Sequence, residues 1–387
     1  MIAYSVPATW KGEDRMKTST MKFRFFLGLI GLLLLLGSVS GSVWASGPSI
    51  GGQWEAKLSG VLDDDPVKLV GTSSLSIDLQ HQTGPVAFDA TLKIAGSMGD
   101  KDAFEFDMDT ACLNYMARDY DIRFGKQRVS WGTAMGLNPT DVINPQDIND
   151  PLGDKLPVWA LVGQYYLENN VELTGVYLPF FRPAVDAIPT KPQIPVYYPE
   201  EDGEWAVKIG ALGMAGMDFS LMYFSGYERM PTVRMTARGM EGYYREVDTI
   251  GADFATSLGD VGLWLEAAHT TPKEGDAYTN WAIGSDYRLP NGLLVAGQYY
   301  HQETGKTQHD YLMFGLEKEL AVIHRGKLGA VYDTDSGSFM VNPEVALSLA
   351  DATELVLGGR YLDRKQGGLG MLPYSDKEIY AQVVTSF

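Results

Sequence analysis

Beyond residue 45 the chain contains nothing like the roughly 18 consecutive apolar residues of a transmembrane helix, yet segment after segment alternates apolar with polar or small side chains. Trp54, Ala56 and Leu58 stand against Glu55, Lys57 and Ser59, and Leu75, Ile77 and Leu79 against Ser74, Ser76 and Asp78. Phe88, Ala90, Leu92 and Ile94 oppose Asp89, Thr91 and Lys93, and Phe104, Phe106 and Met108 oppose Glu105, Asp107 and Asp109. A period of two places the classes on opposite faces of a strand. A soluble sandwich also alternates, so one segment decides nothing; the number of segments does. Without a spanning helix, only a closed barrel satisfies its backbone inside a bilayer.

Fourteen further strands are expected near residues 120–131, 158–166, 171–178, 205–212, 217–225, 247–256, 261–269, 280–287, 293–301, 311–319, 323–332, 339–347 and 353–362 and at the end of the chain. The expectation is an all-β, transmembrane antiparallel β-barrel of about 18 strands, with 16 as the alternative. The connections support it. Gln82–Pro85, Arg118–Asp119, Glu168–Asn170, Gly213–Gly216, Ser257–Asp260, Pro290–Gly292 and Ala350–Ala352 are short and carry turn residues. The long connections, 132–156, 179–204, 228–246 and 363–376, all fall in the alternate gaps. That pattern matches short periplasmic turns and long extracellular loops.

Residues 21–45 read as a cleavable secretory signal: Lys22 and Arg24, then an apolar core over 25–36, then small residues with Val43 and Ala45 at the cleavage positions. Residues 1–45 are thus a leader, and 46–387 one barrel. The leader holds five of the 31 basic and two of the 49 acidic residues, leaving 26 against 47. Such an acidic chain is no partner for nucleic acid. Cys112 allows no internal disulfide, no haem or Cys/His metal motif is present, and the five histidines never fall at i, i+4. No cofactor or metal is expected. Neither a Ser/His/acid set nor paired catalytic carboxylates stand out, so the chain does not read as an enzyme.

The third outer loop, 132–156, carries the densest signal. It holds Asp141, Asp147, Asp150 and Asp154, and two Asn-Pro-x-Asp repeats at 138–141 and 144–147. Asn and Asp beside proline favour turns closed by their own side chains, so the loop is expected to be rigid. Folded inward, its acids would face Arg123, Lys126, Arg128, Lys208 and Arg360 on the wall. Glu105, Asp107 and Asp109 would add an acidic pore-lining row. A transverse field in a narrow, partly dehydrated constriction orients polar solutes; the alternative is that both sets are solvated rim charges. A Ca²⁺ site on the Asn and Asp oxygens is the less favoured reading. Arg229, Arg234, Arg238 and Arg245 in the fifth loop read as a lid or as lipopolysaccharide-binding groups.

The last strand alternates Ile379, Ala381, Val383 and Thr385 with polar residues and ends on Phe387. It resembles the assembly signal of Gram-negative outer-membrane barrels, which implies the insertion machinery as a partner. Residues 124–132, FGKQRVSWG, followed by NPTDVINPQD, resemble a signature of uncharacterised porin-like outer-membrane barrels related in style to alginate-export barrels. That resemblance implies a barrel in the outer membrane, in contact with its lipid and lipopolysaccharide. The resulting functional reading is a channel for passive or substrate-selective diffusion of small polar solutes, constricted by the loop 132–156. The alternative is a structural barrel that docks a partner, such as the sheath of a porin–cytochrome complex.

Overall fold

The structure is a computed structural model and describes residues 47–63, 66–98, 105–148, 153–184, 194–200, 203–237, 239–304, 307–321, 323–365 and 374–387. The leader, Asp150 and Arg238 lie outside them. The strands are β1 (Ser49–Val61), β2 (Lys68–Thr83), β3 (Val86–Met98), β4 (Glu105–Met116), β5 (Tyr120–Gln127), β6 (Val158–Tyr166), β7 (Val171–Leu178), β8 (Val196–Tyr197), β9 (Glu204–Met214) and β10 (Met217–Tyr227). They continue with β11 (Thr232–Thr236), β12 (Gly239–Tyr243), β13 (Glu246–Leu258), β14 (Val261–Pro272), β15 (Tyr278–Arg288), β16 (Leu294–Thr304), β17 (Thr307–Ala321), β18 (His324–Asp333), β19 (Phe339–Ala350), β20 (Thr353–Asp363) and β21 (Lys377–Ser386).

Eighteen of these form one antiparallel sheet that closes on itself, because β1 pairs with β2 on one side and with β21 on the other. The expected strand count and the division of short and long connections both hold. Beyond the expectation, β8, β11 and β12 form a separate three-stranded sheet inside the long outer loops. The strand expected over 120–131 stops at Gln127, where the chain leaves the wall.

Alternation settles which way each side chain points. On β14, Trp264, Glu266, Ala268 and Thr270 are buried, whereas Leu265 between them is 46% exposed. Leu265 stands between half-buried Phe254 of β13 and exposed Ile283 of β15. Leu58, Leu173, Leu221, Phe314, Leu357 and Ile379 are likewise exposed on other strands. So continuous an apolar outer band is what a lipid-facing wall requires. The acidic row expected on β4 is interrupted: Leu92 pairs with Met108 and Thr91 with Thr110, so Asp109 is the extra residue of a bulge.

Two inward aromatic rings lie flat over glycines of the neighbouring strand. Trp264 covers Gly284, and Tyr380 covers Gly358, where any Cβ would collide with the ring. This lets the Trp264 indole donate to Gln298 Oε1 at 2.8 Å, two strands away, and the Tyr380 hydroxyl donate to Glu344.

Depth dependence tests the orientation. Leu265→Arg, at mid-strand on the outer face, is expected to cost about 2–4 kcal/mol, and Leu258→Arg, at the short-turn end, at most about 1 kcal/mol. Urea unfolding in phospholipid vesicles measures both, and equal penalties would contradict the assigned faces.

Candidate functional site

The loop between β5 and β6 turns into the barrel and reaches the far wall. Thr133 and Ala134 donate their backbone N–H groups to Glu266 Oε1 on β14, the latter at 2.5 Å, and Thr140 Oγ1 donates to Glu266 Oε2 at 3.0 Å. Met135 N donates to Gln298 Oε1 on β16 at 2.7 Å, and Gln298 Nε2 returns bonds to the carbonyls of Met135 and Leu137 at 2.9 and 3.0 Å. A Cβ on Gly136 would meet Met313 Cε of β17 at 2.7 Å. In the wall of 18, β16 and β17 stand eight and nine strands from β5, so the loop crosses the bore.

Both asparagines of the Asn-Pro repeats act as staples. Asn138 Oδ1 accepts from Thr140 N and Asp141 N at 3.0 and 3.2 Å, while its Nδ2 donates to Trp131 O at 2.8 Å. Asn144 ties the two ends of the loop together: Oδ1 accepts from Val129 N and Nδ2 donates to Leu156 O, each at 2.7 Å. Gly132 has φ +86° and sits against Asn138 and Thr140, so a side chain fits neither its backbone nor its space. The loop is thus tied down as the repeats suggest, although Asn144 bonds across the loop and not within its own turn. The asparagine oxygens weighed for Ca²⁺ are occupied by backbone donors.

Apolar packing accompanies these bonds. Val129, Trp131 and Ile143 join one buried cluster with Val158, Val162, Val176, Met222 and Phe224 of the inner wall. Ala134, Met135 and Leu137 pack on a second, formed by Tyr300, Tyr311, Met313, Val331, Met340 and Leu362. Neither cluster draws on β1–β4 or β21. On that side the inner wall forms a recess of about 380 Å³ lined by Glu55, Lys57, Thr72, Lys93, Glu105 and Gln382.

The charged residues singled out in the sequence are distributed as local pairs. Lys126 Nζ lies 3.1 Å from Asp107 Oδ1, and Arg128 holds Asp109 through two bonds of 2.9 Å. Asp141 meets Lys155 of its own loop at 2.9 Å. Burial pushes the Asp141 carboxyl above its ordinary range, with Lys155 opposing the shift. Lys208 Nζ lies 5.9 Å from the Trp131 ring centre, beneath the loop. Arg360 pairs with Glu378 at 3.2 Å, and Lys57 meets the same carboxylate at 3.2 Å. Arg123 lies opposite Asn114, with its Nε buried and unpartnered. Glu105 borders the recess, whereas Asp147 and Asp154 belong to the loop and do not line it. In the fifth loop, Arg229 pairs with fully buried Glu204 at 2.8 Å, Arg245 with Glu228 at 2.5 Å, and Arg234 with Glu241 at 2.7 Å.

Glu266 and Gln298 were not legible as site residues. The signal that could have found them is on β6 and β7, whose inner positions Val158, Ala160, Val162 and Val176 are as apolar as the outer ones. A water-facing wall is polar, so an apolar one implies a cover.

No protein-family model and no curated protein matches the sequence. Among solved structures, OccAB4 of Acinetobacter baumannii aligns with a TM-score of 0.54 at 10% identity, over 88% of this chain and 98% of that chain. A loop-deletion mutant of OmpT, an outer membrane protein of Vibrio cholerae, gives 0.45 at 10% identity, over 88% and 99%. A mutant of Rh. blastica porin gives 0.47 at 12% identity, over 88% and 100%. At these identities the likeness concerns the fold, and only the first is close enough to count. The fold is that of an outer-membrane-type β-barrel.

Glu266 offers a direct test. Glu266→Ala leaves the backbone N–H groups of Thr133 and Ala134 without their acceptor, each costing about 1–3 kcal/mol when buried, while the Thr140 hydroxyl keeps Asn138 Oδ1 at 3.1 Å. Protease cutting within 133–148 is expected in this variant and not in the parent, while the wall stays resistant; continued protection would count against the anchoring role.

Proposed function

We propose that the protein is a porin-like channel of the bacterial outer membrane, admitting small polar solutes by diffusion. The observation that carries the reading is the loop that crosses the bore from β5 to Glu266 and Gln298, leaving the polar recess beside β1–β4 and β21. Solutes pass on that polar side, and the loop sets the width of the passage. The fold likeness to OccAB4 agrees with an outer-membrane location. The resemblance of residues 124–147 to porin-like barrels agrees with it as well; that motif, and no family model, carries the link to barrels in the style of alginate exporters.

Selectivity follows from the charges. Asp107 and Asp109 are matched by Lys126 and Arg128, so Glu55 and Glu105 weigh against Lys57 and Lys93 along the recess. Lys57 shares Glu378 with Arg360, and on the same inward face of β2 and β3 Asp78 and Asp89 stand against Lys68, leaving a slight acidic excess over the first four strands. The expected outcome in planar bilayers under a KCl gradient is discrete conductance with mild cation preference. Anion selectivity, or no conductance, would overturn the proposal. Glu55→Gln together with Glu105→Gln is expected to abolish the preference without removing the pore, and an unchanged reversal potential would move the conducting path elsewhere.

A further inference from the structure

Three potential ligand atoms, one each from His309, Asp333 and Asp335, lie within 4.8 Å of one another. Their positions in the chain explain why residue spacing does not announce them. His309 is on β17, Asp333 ends β18, and Asp335 belongs to the connection that follows, which joins β18 to β19 at the long-loop end. The register places Asp333 beside Tyr311, two residues along β17 from His309 and therefore on the same face. Tyr311 is buried, so the group sits on the inner side of the outer rim.

Two observations point to a cation. The Nδ1 atom of His309 is buried without a hydrogen-bond partner. A buried polar atom left unpaired costs about 1–3 kcal/mol, so such atoms are normally satisfied. Asp333 beside it is fully buried. Its Oδ1 accepts from Asp335 N and Ser336 N at 3.0 and 3.1 Å, which fixes the carboxylate in place. Asp335 Oδ2 accepts from Asp310 N at 2.7 Å, which aims the third side chain back at β17. Backbone donors that orient ligating carboxylates are the usual outer shell of a metal site.

We propose that His309, Asp333 and Asp335 bind a divalent transition-metal ion of the Zn²⁺ class, which staples the connection 334–338 to β17. One imidazole nitrogen and two carboxylate oxygens suit such an ion better than Mg²⁺ or Ca²⁺, which take oxygen. Ligand bonds of about 2.0–2.2 Å bring donor atoms to roughly 3–3.5 Å from one another. Asp335 is the exposed member of the three, its side chain held among the described residues only at the Asp310 N–H, and it shifts to close that gap. Water completes the coordination on the open side. The inference does not depend on conduction.

Metal titration of the full-length barrel, refolded in detergent micelles and stripped with chelator, tests it. Calorimetry with Zn²⁺ is expected to show one site per chain that excess Mg²⁺ or Ca²⁺ does not block. His309→Gln and Asp335→Asn are each expected to weaken it at least about tenfold, since outer-shell losses alone reach that size. No uptake, uptake that Ca²⁺ blocks, or uptake equal to the parent in either variant would overturn the site. Heat-modifiable migration on gels confirms folding, and if His309→Gln does not fold, exposed Asp335→Asn carries the test alone.

Discussion

The closing ladder between β1 and β21 is the interaction on which the rest depends. Gln53 to Val61 pair with Glu378 to Ser386, and Gly52 and Phe387 exchange backbone bonds of 2.9 and 3.0 Å just beyond them. With that seam formed, no strand edge is left in the wall, and the backbone can stand in hydrocarbon at no unsatisfied cost. Only then can every second side chain be apolar and exposed without making the protein sticky. The outer face of the barrel is thus a consequence of closure.

Inside, a different rule holds along different strands. Where β6, β7, β9, β10, β13 and β14 turn apolar side chains inward, the loop after β5 covers them. Its backbone has no ladder of its own, so its donors need acceptors from the wall, and Glu266 and Gln298 supply them. A carboxylate buried among Trp264 and Ala268 would be costly without those partners. Loop and wall satisfy each other, and neither is stable alone in this arrangement.

The fold was legible because strand alternation and connection length repeat 18 times, so local ambiguities average out. The loop was legible as the exceptional connection, and its Asn-Pro repeats as turn-forming. Its bonding partners were not. Glu266 and Gln298 lie more than 120 residues downstream of the donors they accept from, and nothing local distinguishes them from other inward polar residues. Charge pairing was also out of reach: Lys126 with Asp107 depends on strand register, and the bulge at Asp109 shifts that register by one residue in a way alternation does not reveal. The small sheet of β8, β11 and β12 escaped notice because β8 is two residues long and pairs in parallel with a distant segment.

The rings of Trp264 and Tyr380 lying over Gly284 and Gly358 also act as keys for strand alignment. Sliding β15 by two residues along β14 would put Ala282 or Asp286 beneath the indole, where a side chain blocks it. The same slide of β20 past β21 would put Val356 or Arg360 beneath the Tyr380 ring. In a closed barrel the summed stagger of the strands and their number together fix the radius. Two glycines that look like gaps in the wall therefore help to gauge its diameter.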